Sequence, residues 1–197
     1  MIRVPAAVYQ GKAAGYVLVG GRSSRMGRDK ALLPFHGLAL AASVAGQVER
    51  AAGHCTLIGD PGRYGELGYP VIGDLYPGEG PLGGILTALK HSTAEWSLIL
   101  ACDMPRATAD FLRGVLALAD RTEADIIAPA GPAGRFEPLC SVYHLRCIPV
   151  LQAAFDRGVR KIGEAVKPLR LATVSATELT PLDNVNTPED WARYAAE

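Results

Sequence analysis

The stretch GGRSSRMGRDK, residues 20–30, combines glycines with basic side chains in a pattern that suits an anion. Gly20 and Gly21 allow backbone N–H groups to approach a ligand closely, and Arg25 and Lys30 add positive charge a few residues later. Backbone N–H groups and basic side chains are common donors to phosphate. The stretch therefore predicts a polyphosphate-binding loop; a solvent-exposed basic turn is the alternative.

The spacing of this stretch argues against two familiar phosphate-binding motifs. A Walker A loop requires G-x-x-x-x-G-K-[ST], whereas Gly21 and Gly27 are separated by five residues and Arg28 follows. A dinucleotide fingerprint requires G-x-G-x-x-G, which is also missing. We therefore expect neither a P-loop NTPase nor a Rossmann-type oxidoreductase.

A second candidate site follows the apolar run SLILA, residues 97–101, where Asp103 comes directly after a predicted buried strand. Ligands of open α/β sheets bind at the carboxyl edge of the strands, and Gly20 is expected at the same edge. Mg²⁺ prefers one or two carboxylates together with phosphate oxygens and water. Asp103 could therefore recruit a Mg²⁺–nucleotide complex, or it could cap the following turn.

Asp74 repeats this arrangement after the preceding predicted strand, within the stretch VIGDLYPGEGPLGG. Gly80 and Gly84 leave room there for a flat base to lie against the backbone at the start of a helix. Asp74 could equally be a turn residue. The stretch is a candidate for binding a nucleotide base.

Two asparagines, Asn184 and Asn186, precede Thr187 near the C-terminus. Thr187 and Pro188 have the pattern of a helix N-cap followed by proline at the first helical position. Capping accounts for Thr187 but leaves both asparagines without a structural role.

The sequence predicts an alternation of strands and helices that would position these residues. Leu40, Val44 and Val48 recur at helical spacing, Pro81 suits a helix start, and Thr108 suits an N-cap. Six short apolar runs predict buried strands: YVLV (16–19), CTLI (55–58), PVI (70–72), SLILA (97–101), DIIA (125–128) and LATV (171–174).

This alternation predicts an α/β fold, a single-domain Rossmann-like three-layer sandwich with a mostly parallel sheet and right-handed crossovers. The Gly/Pro-rich turn PAGPAGRFE, residues 129–137, predicts a hairpin or an antiparallel strand before a last helical stretch over 145–166. Residues 1–14 show no clear period and are expected to form an N-terminal extension without fixed structure, with the nucleotide-binding domain over residues 15–197.

Composition limits the classes of partner. The chain has 197 residues and a formal net charge of zero, so neither a nucleic-acid partner nor an anionic membrane surface is expected. No run resembles a signal peptide or a membrane span, which predicts a cytoplasmic protein, and a monomer is the default. The four cysteines lack disulfide or zinc spacing and are expected to be reduced.

Several separate motifs together resemble one known family. LVGGRSSRMGRDKALL, GPLGG, CDMP, EPLCSVY and NVNTPED stand in the order and spacing of the MobA family of molybdenum cofactor guanylyltransferases, and the resemblance covers roughly residues 16–194. It implies a nucleotide-diphospho-sugar transferase-like fold and the transfer of GMP from Mg²⁺–GTP to the terminal phosphate of molybdopterin, which releases pyrophosphate. Related cytidylyltransferases usually have AAG where this chain has VGG, which favours GTP.

The resemblance also implies roles for individual residues. Arg25 and Lys30 would neutralise phosphate charge, Asp103 would bind the metal, and Asn184 and Asn186 would lie towards the pterin phosphate. The implied nucleotide and cofactor contacts are Leu18, Val19, Gly20, Gly21, Lys30, Asp74, Gly80, Gly84, Asp103, Asn184 and Asn186.

The chain departs from the family pattern after the second predicted strand, where some members have an asparagine that contacts GTP and this chain has Gly59 and Asp60. Two other hypotheses stay open. The protein could be a nucleotidyltransferase that uses CTP or another acceptor, such as a sugar or polyol phosphate, or a non-catalytic GTP-binding protein that delivers the cofactor. The family also implies transient contacts with molybdoenzyme maturation proteins.

Overall fold

The structure is a computed structural model that describes residues 13–20, 29–130, 136–175, 182, 184–185 and 187–195. Within these ranges the strands are β1 (Ala13–Leu18), β2 (Pro34–Phe35), β3 (Leu38–Ala39), β4 (Thr56–Ile58), β5 (Val71–Ile72), β6 (Trp96–Ala101), β7 (Ile126–Ala130), β8 (Cys140–His144) and β9 (Leu171–Ser175). The helices are α1 (Leu40–Ala52), α2 (Pro61–Tyr64), α3 (Pro81–His91), α4 (Ala109–Leu116), α5 (Ile148–Asp156), α6 (Ile162–Ala165) and α7 (Pro188–Ala195).

Seven of these strands form one sheet in the order β5-β4-β1-β6-β8-β7-β9. β8 runs antiparallel to both of its neighbours, β6 and β7, and the other pairs are parallel. At the centre, Tyr16 of β1 is in register with Thr56 of β4 and Ile99 of β6. The predicted mostly parallel sheet with an antiparallel hairpin strand is confirmed; β2 and β3 add a small separate hairpin.

Helices cover both faces of the sheet, as a three-layer sandwich requires. α1 and α4 pack on one face, where they meet strand side chains such as Leu98 and Leu100. α3, α5 and α6 pack on the other face, where they meet Ile99 and Tyr16. Neighbouring residues of β6 thus point into different halves of the core, so a buried central strand is apolar throughout rather than alternating.

Local sequence signals account for the helix boundaries. Thr108 caps α4, because its Oγ1 accepts a hydrogen bond from the Phe111 N–H at 3.3 Å. Thr187 caps α7 in the same way, with the Asp190 N–H as donor at 3.1 Å, and Pro81 begins α3. All three predicted features are confirmed.

β1 begins at Ala13, so the last two residues of the expected extension over residues 1–14 belong to the central strand. Both Ala13 and Ala14 are buried, and they pair with Trp96 and Ser97 of β6. Residues 1–12 lie outside the described part of the chain. Among the helices described, none is long and apolar enough to cross a bilayer.

Candidate active site

A cleft of about 630 Å³ lies at the carboxyl edge of the sheet, where β1, β4 and β6 end and α3 begins. This is the edge at which ligands of open α/β sheets bind. The residues of the sequence prediction that line it are Leu18, Val19, Gly20, Asp74, Gly80, Gly84 and Asp103. Three strand ends and one helix start therefore bring distant sequence motifs to one place.

Asp103 leaves β6 beside the end of β1 and is held by backbone contacts. The preceding Cys102 N–H donates to the Leu18 carbonyl at 3.2 Å, and the Val185 N–H donates to the Asp103 carbonyl at 2.9 Å. These bonds leave the Asp103 carboxylate at the cleft. Burial raises the pKa of this carboxyl, although the positive charge of Lys30 opposes the rise.

Lys30 supplies the positive charge opposite Asp103. Its Nζ lies 3.5 Å from Asp103 Oδ2, with side-chain exposures of 16% and 22%. The low exposure means that the ion pair is only partly screened by water, so an incoming phosphate would meet a concentrated local charge. Lys30 and Asp103 together can bind a phosphate group and the metal ion that accompanies it.

Asp29 fixes the backbone from which Lys30 extends. Its Oδ1 accepts from the Ala31 N–H at 3.0 Å and caps the short 3-10 helix that begins at Lys30. Its Oδ2 accepts from the Tyr64 hydroxyl at 2.8 Å and pairs with Arg63 Nε at 2.7 Å. The Asp29 carboxylate therefore acts as a structural anchor, and the Lys30 side chain extends to Asp103, which lines the cleft.

Asp74 lines the cleft, but its Oδ1 is committed to the turn after β5. That oxygen accepts from the Tyr76 N–H at 2.9 Å and from the Thr87 hydroxyl at 2.8 Å. The Thr87 Oγ1 in turn accepts from the Leu75 N–H at 3.0 Å. Asp74 thus shapes the wall of the cleft that follows β5, as the turn-residue alternative expected, and a nucleotide contact by Asp74 stays a prediction.

Glycine is required where the backbone forms the cleft wall. Gly80 has φ +84°, a left-handed conformation that favours glycine, directly before the start of α3. A Cβ at Gly84 would lie 3.2 Å from Leu18 Cδ1. Gly80 therefore has a backbone conformation that favours glycine, and Gly84 packs against Leu18; the contact of a flat base with this backbone stays a prediction.

Gly21, Arg25 and Asn186, which the sequence also predicts as site residues, lie outside the described residues. Asn184 is described: its Oδ1 is buried and has no hydrogen-bond partner among the described residues. Asn184 directly precedes Val185, the residue bonded to Asp103. Its chain segment therefore runs beside the metal-binding candidate.

Neither Gly59 nor Asp60 replaces the asparagine of some family members. A Cβ at Gly59 would lie 2.6 Å from Val19 Cγ2 and 2.8 Å from the Val19 carbonyl oxygen, so no side chain fits there. Asp60 Oδ1 accepts from the Gly62 N–H at 2.9 Å and caps α2. This part of the cleft offers backbone and apolar surface instead of an amide.

Glu137 is a second carboxylate at this edge that the sequence analysis missed. Leu100 pairs with Cys140 at the end of the β6–β8 ladder, and the Ala101 N–H donates to Leu139 O at 2.8 Å, which brings the turn that contains Glu137 to the edge where Asp103 lies. Burial raises the pKa of the Glu137 carboxyl, and the charge of Asp103 raises it further. The available signal was the Glu of EPLCSVY, at the end of the Gly/Pro-rich turn.

Cys102 lines the cleft as well, but its thiol is not a nucleophile. Burial raises the pKa of Cys102 to about 12, and the neighbouring charge of Asp103 adds to the rise. The thiol is therefore protonated at neutral pH. Charge neutralisation and positioning, rather than covalent catalysis, are what the described residues offer.

Comparison with known proteins identifies the family. The profile of the MobA-like NTP transferase domain matches residues 15–171. A probable molybdenum cofactor guanylyltransferase of Carboxydothermus hydrogenoformans is 32% identical over 184 residues, 90% of this chain and 92% of that protein. A molybdenum cofactor guanylyltransferase of Rhodobacter capsulatus is 37% identical over 191 residues, 92% of this chain and 94% of that protein.

A solved structure agrees with this assignment. The molybdopterin-guanine dinucleotide biosynthesis protein A of Archaeoglobus fulgidus superposes with a TM-score of 0.80 at 25% identity, over 93% of this chain and 97% of that chain. The predicted nucleotidyltransferase fold and enzyme class are confirmed. The chain therefore belongs to the MobA-like NTP transferase family.

Proposed function

We propose that this protein transfers GMP from Mg²⁺–GTP to the terminal phosphate of molybdopterin and releases pyrophosphate. The observation that carries the proposal is the Lys30–Asp103 pair at the mouth of the cleft, 3.5 Å apart. Its support comes from relatives 32% and 37% identical that are named molybdenum cofactor guanylyltransferases. A phosphate-binding lysine beside a carboxylate is the arrangement that transfer from a nucleoside triphosphate needs.

In the proposed complex, the triphosphate lies between Gly20 and Lys30 and the guanine lies against the backbone of Gly80 and Gly84. Gly20 lies two residues after the end of β1, has φ +100° and lines the cleft. The predicted contacts by Arg25, Gly21, Asn184 and Asn186 would add donors to the phosphates of both substrates. These residue roles remain predictions.

The reaction forms one phosphorus–oxygen bond and breaks another. An oxygen of the acceptor phosphate attacks the α-phosphorus, and the bond to the pyrophosphate oxygen breaks. The attacking phosphate is already ionised, so no general base is needed, and the main barrier is the approach of two negative groups. Lys30 lowers that barrier by neutralising phosphate charge in a site only partly open to water.

The described donor set suits Mg²⁺, because a hard cation needs only one or two carboxylates when phosphate oxygens and water complete its shell. Asp103 would hold the ion, and the burial that raises the pKa of its carboxyl also strengthens its attraction to a cation. When bound, the ion supplies further charge neutralisation on the phosphate oxygens.

The direct test measures pyrophosphate release by the purified protein with Mg²⁺ and molybdopterin, comparing GTP, CTP and ATP. The proposal expects release that depends on molybdopterin and prefers GTP. Preference for CTP would assign the protein to the cytidylyl relatives, and GTP binding without release would favour another acceptor or a delivery role. Contacts with molybdoenzyme maturation proteins and a cytoplasmic location also stay predictions.

A further inference from the structure

The wall of the cleft that follows β5 presents main chain rather than polar side chains. Gly78, Gly80 and Pro81 form this wall, and both glycines have positive φ, +82° and +84°. The Oδ1 of Asp74 is already bonded to the Tyr76 N–H and the Thr87 hydroxyl. A base bound against residues 78–81 would therefore meet backbone N–H and C=O groups along this part of the wall.

Recognition by backbone groups is selective only if the backbone is held in place. Guanine, adenine and cytosine differ in where their donors and acceptors lie, and a shift of about 0.5 Å is enough to spoil such a set of hydrogen bonds. Gly78 and Gly80 themselves provide freedom rather than restraint, because glycine has the widest range of backbone conformations. The restraint must come from their neighbours.

Glu79, between the two glycines, is tied to a distant part of the chain. Its Oε2 lies 2.6 Å from Nε of Arg160, which stands between α5 and α6. Arg160 is itself immobilised, because its guanidinium stacks 3.9 Å from the centre of the Phe155 ring and donates to the carbonyls of Phe155 at 2.8 Å and Val159 at 3.2 Å. The ion pair therefore links the middle of the cleft wall to a rigid support.

Tyr76 fixes the upstream end of the same segment to the same support. Its hydroxyl donates to Gln152 Oε1 at 2.9 Å, and its ring lies 4.5 Å from that of Phe155. A Cβ added at Gly83 would lie 2.8 Å from the Tyr76 Cβ, so helix α3 packs closely against this tyrosine. The Glu79 N–H also donates to the Tyr76 carbonyl at 3.1 Å, so the Glu79–Arg160 pair adds a side-chain contact that holds the middle of the same wall.

The Glu79–Arg160 ion pair is partly exposed to solvent, and this exposure decides whether the pair affects global stability or the position of the loop. The Arg160 and Glu79 side chains are 38% and 48% exposed, and ion pairs of this kind add little to global stability. The Arg160 side chain has already lost its freedom to the Phe155 and Val159 contacts, so pairing mainly costs the rotamer entropy of Glu79. The pair is therefore suited to positioning the loop rather than to holding the fold together.

We propose that Glu79 and Arg160 are specificity-determining positioning residues, whose ion pair holds the main chain of residues 78–80 so that it selects the nucleobase. The inference rests on the proposed function, because it takes a nucleoside triphosphate as the ligand of this wall. Neither residue needs to touch the nucleotide.

The test compares Glu79→Gln, Arg160→Gln and the double variant with the wild type. We expect the ratio of kcat/KM for GTP to kcat/KM for CTP or ATP to fall about fivefold to tenfold, chiefly through KM for GTP, with kcat changed less. Because the two side chains act as one unit, the double variant should lose no more selectivity than a single variant. Lys161, the residue after Arg160, forms an exposed ion pair with Glu164. Lys161→Ala removes that pair and is the matched control, which should keep the wild-type ratio of kcat/KM values.

A wild-type base preference in Glu79→Gln and Arg160→Gln would overturn the inference, as would a fall in selectivity that is additive in the double variant. Nucleotide affinities measured by calorimetry, without the pterin, separate this test from that of the proposed function. If the wild type binds GTP selectively but does not transfer GMP, the proposed function is contradicted. The ratio of its affinities for GTP and for CTP or ATP, compared with that of the variants, still tests the role of Glu79 and Arg160. A wild type with no base preference contradicts both.

Discussion

The Lys30 ammonium and the Asp103 carboxylate lie 3.5 Å apart although 72 positions separate them in the chain. Lys30 follows the glycine-rich stretch after β1, and Asp103 follows β6, the strand that pairs with β1 along its full length. The parallel pairing of these two strands puts both chain segments at the same edge. The site thus depends on the register of the central strands.

Asp103→Asn should reduce turnover about 100-fold or more, a loss of about 3 kcal/mol of transition-state stabilisation, because it removes the carboxylate that we propose holds the metal ion. The amide has the same size, so the fold should survive. GTP-dependent pyrophosphate release measures the effect, and Asp110→Asn, at a carboxylate 89% exposed on α4, is the matched control. Activity near the wild-type level in Asp103→Asn would show that Asp103 does not have this role.

Lys30→Ala should raise KM for GTP and lower kcat together, about tenfold or more in kcat/KM, because a charge on the phosphates acts in both the bound state and the transition state. Steady-state kinetics with GTP as the varied substrate measure both constants. The exposed Lys167 offers the control Lys167→Ala, which should behave as wild type. If Lys30→Ala leaves both constants unchanged, Lys30 does not contact the nucleotide.

The sheet could be predicted from the sequence because its strands are buried on both faces. SLILA, residues 97–101, matches β6 (Trp96–Ala101) to within one residue, since all of its residues are buried, with Leu98 and Leu100 in one core and Ile99 in the other. The antiparallel β8 was predicted from the Gly/Pro-rich turn before it. The β2–β3 hairpin was not predicted, because two residues per strand are too few to show a period.

The candidate site was only partly predictable, because its supporting contacts join residues far apart in the chain. Asp103 stood out as a carboxylate after an apolar run, but Glu137 became visible only through the β6–β8 register. The Tyr64–Asp29 and Arg160–Glu79 contacts span 35 and 81 residues. The local sequence pattern does not show which residues so far apart in the chain will be in contact. Helix capping and the burial of a strand depend on neighbouring residues and can be predicted from the sequence.

Asp125→Asn should lower the free energy of unfolding by about 2 kcal/mol at pH 7, because a buried carboxylate loses charge-assisted hydrogen bonds. The side chain is 11% exposed; its Oδ2 accepts from the Arg170 N–H at 2.9 Å, and Arg146 pairs with its Oδ1. Burial raises the pKa of Asp125, but the hydrogen bonds from Arg170 and Arg146 outweigh it and hold the pKa at about 2.

The sign of the pH dependence follows from that lowered pKa. The contribution of Asp125 is fully present above the unfolded-state pKa of about 4 and is lost as the pH falls towards about 2. Urea denaturation of wild type and Asp125→Asn should therefore show a stability difference that is constant from pH 7 to about pH 5 and shrinks below it. Glu123→Gln, at a neighbouring carboxylate 94% exposed, should show almost no difference. A gap between wild type and Asp125→Asn that stays constant down to pH 3 would contradict the assignment.

Gly59→Asn, which introduces the asparagine of some family members, should destabilise this protein instead of improving GTP binding. The new Cβ would meet the Val19 side chain at 2.6 Å and the Val19 carbonyl oxygen at 2.8 Å, and the Val19 backbone is tied to β4 because its N–H donates to the Ile58 carbonyl at 3.0 Å. Overpacking of this kind costs about 1–3 kcal/mol. Because Val19 lines the cleft, KM for GTP should rise as well.

Gly65→Ala is the control for this substitution, because a Cβ there meets nothing within 4 Å and its φ of −61° suits alanine. Urea denaturation should show Gly65→Ala at or slightly above wild-type stability and Gly59→Asn clearly below it. Wild-type stability with a lower KM for GTP in Gly59→Asn would show that β4 can shift to admit the amide. A destabilised Gly59→Asn variant would mean that Val19 and Gly59 are matched in size, so that any nucleotide contact at this position is made without an amide side chain.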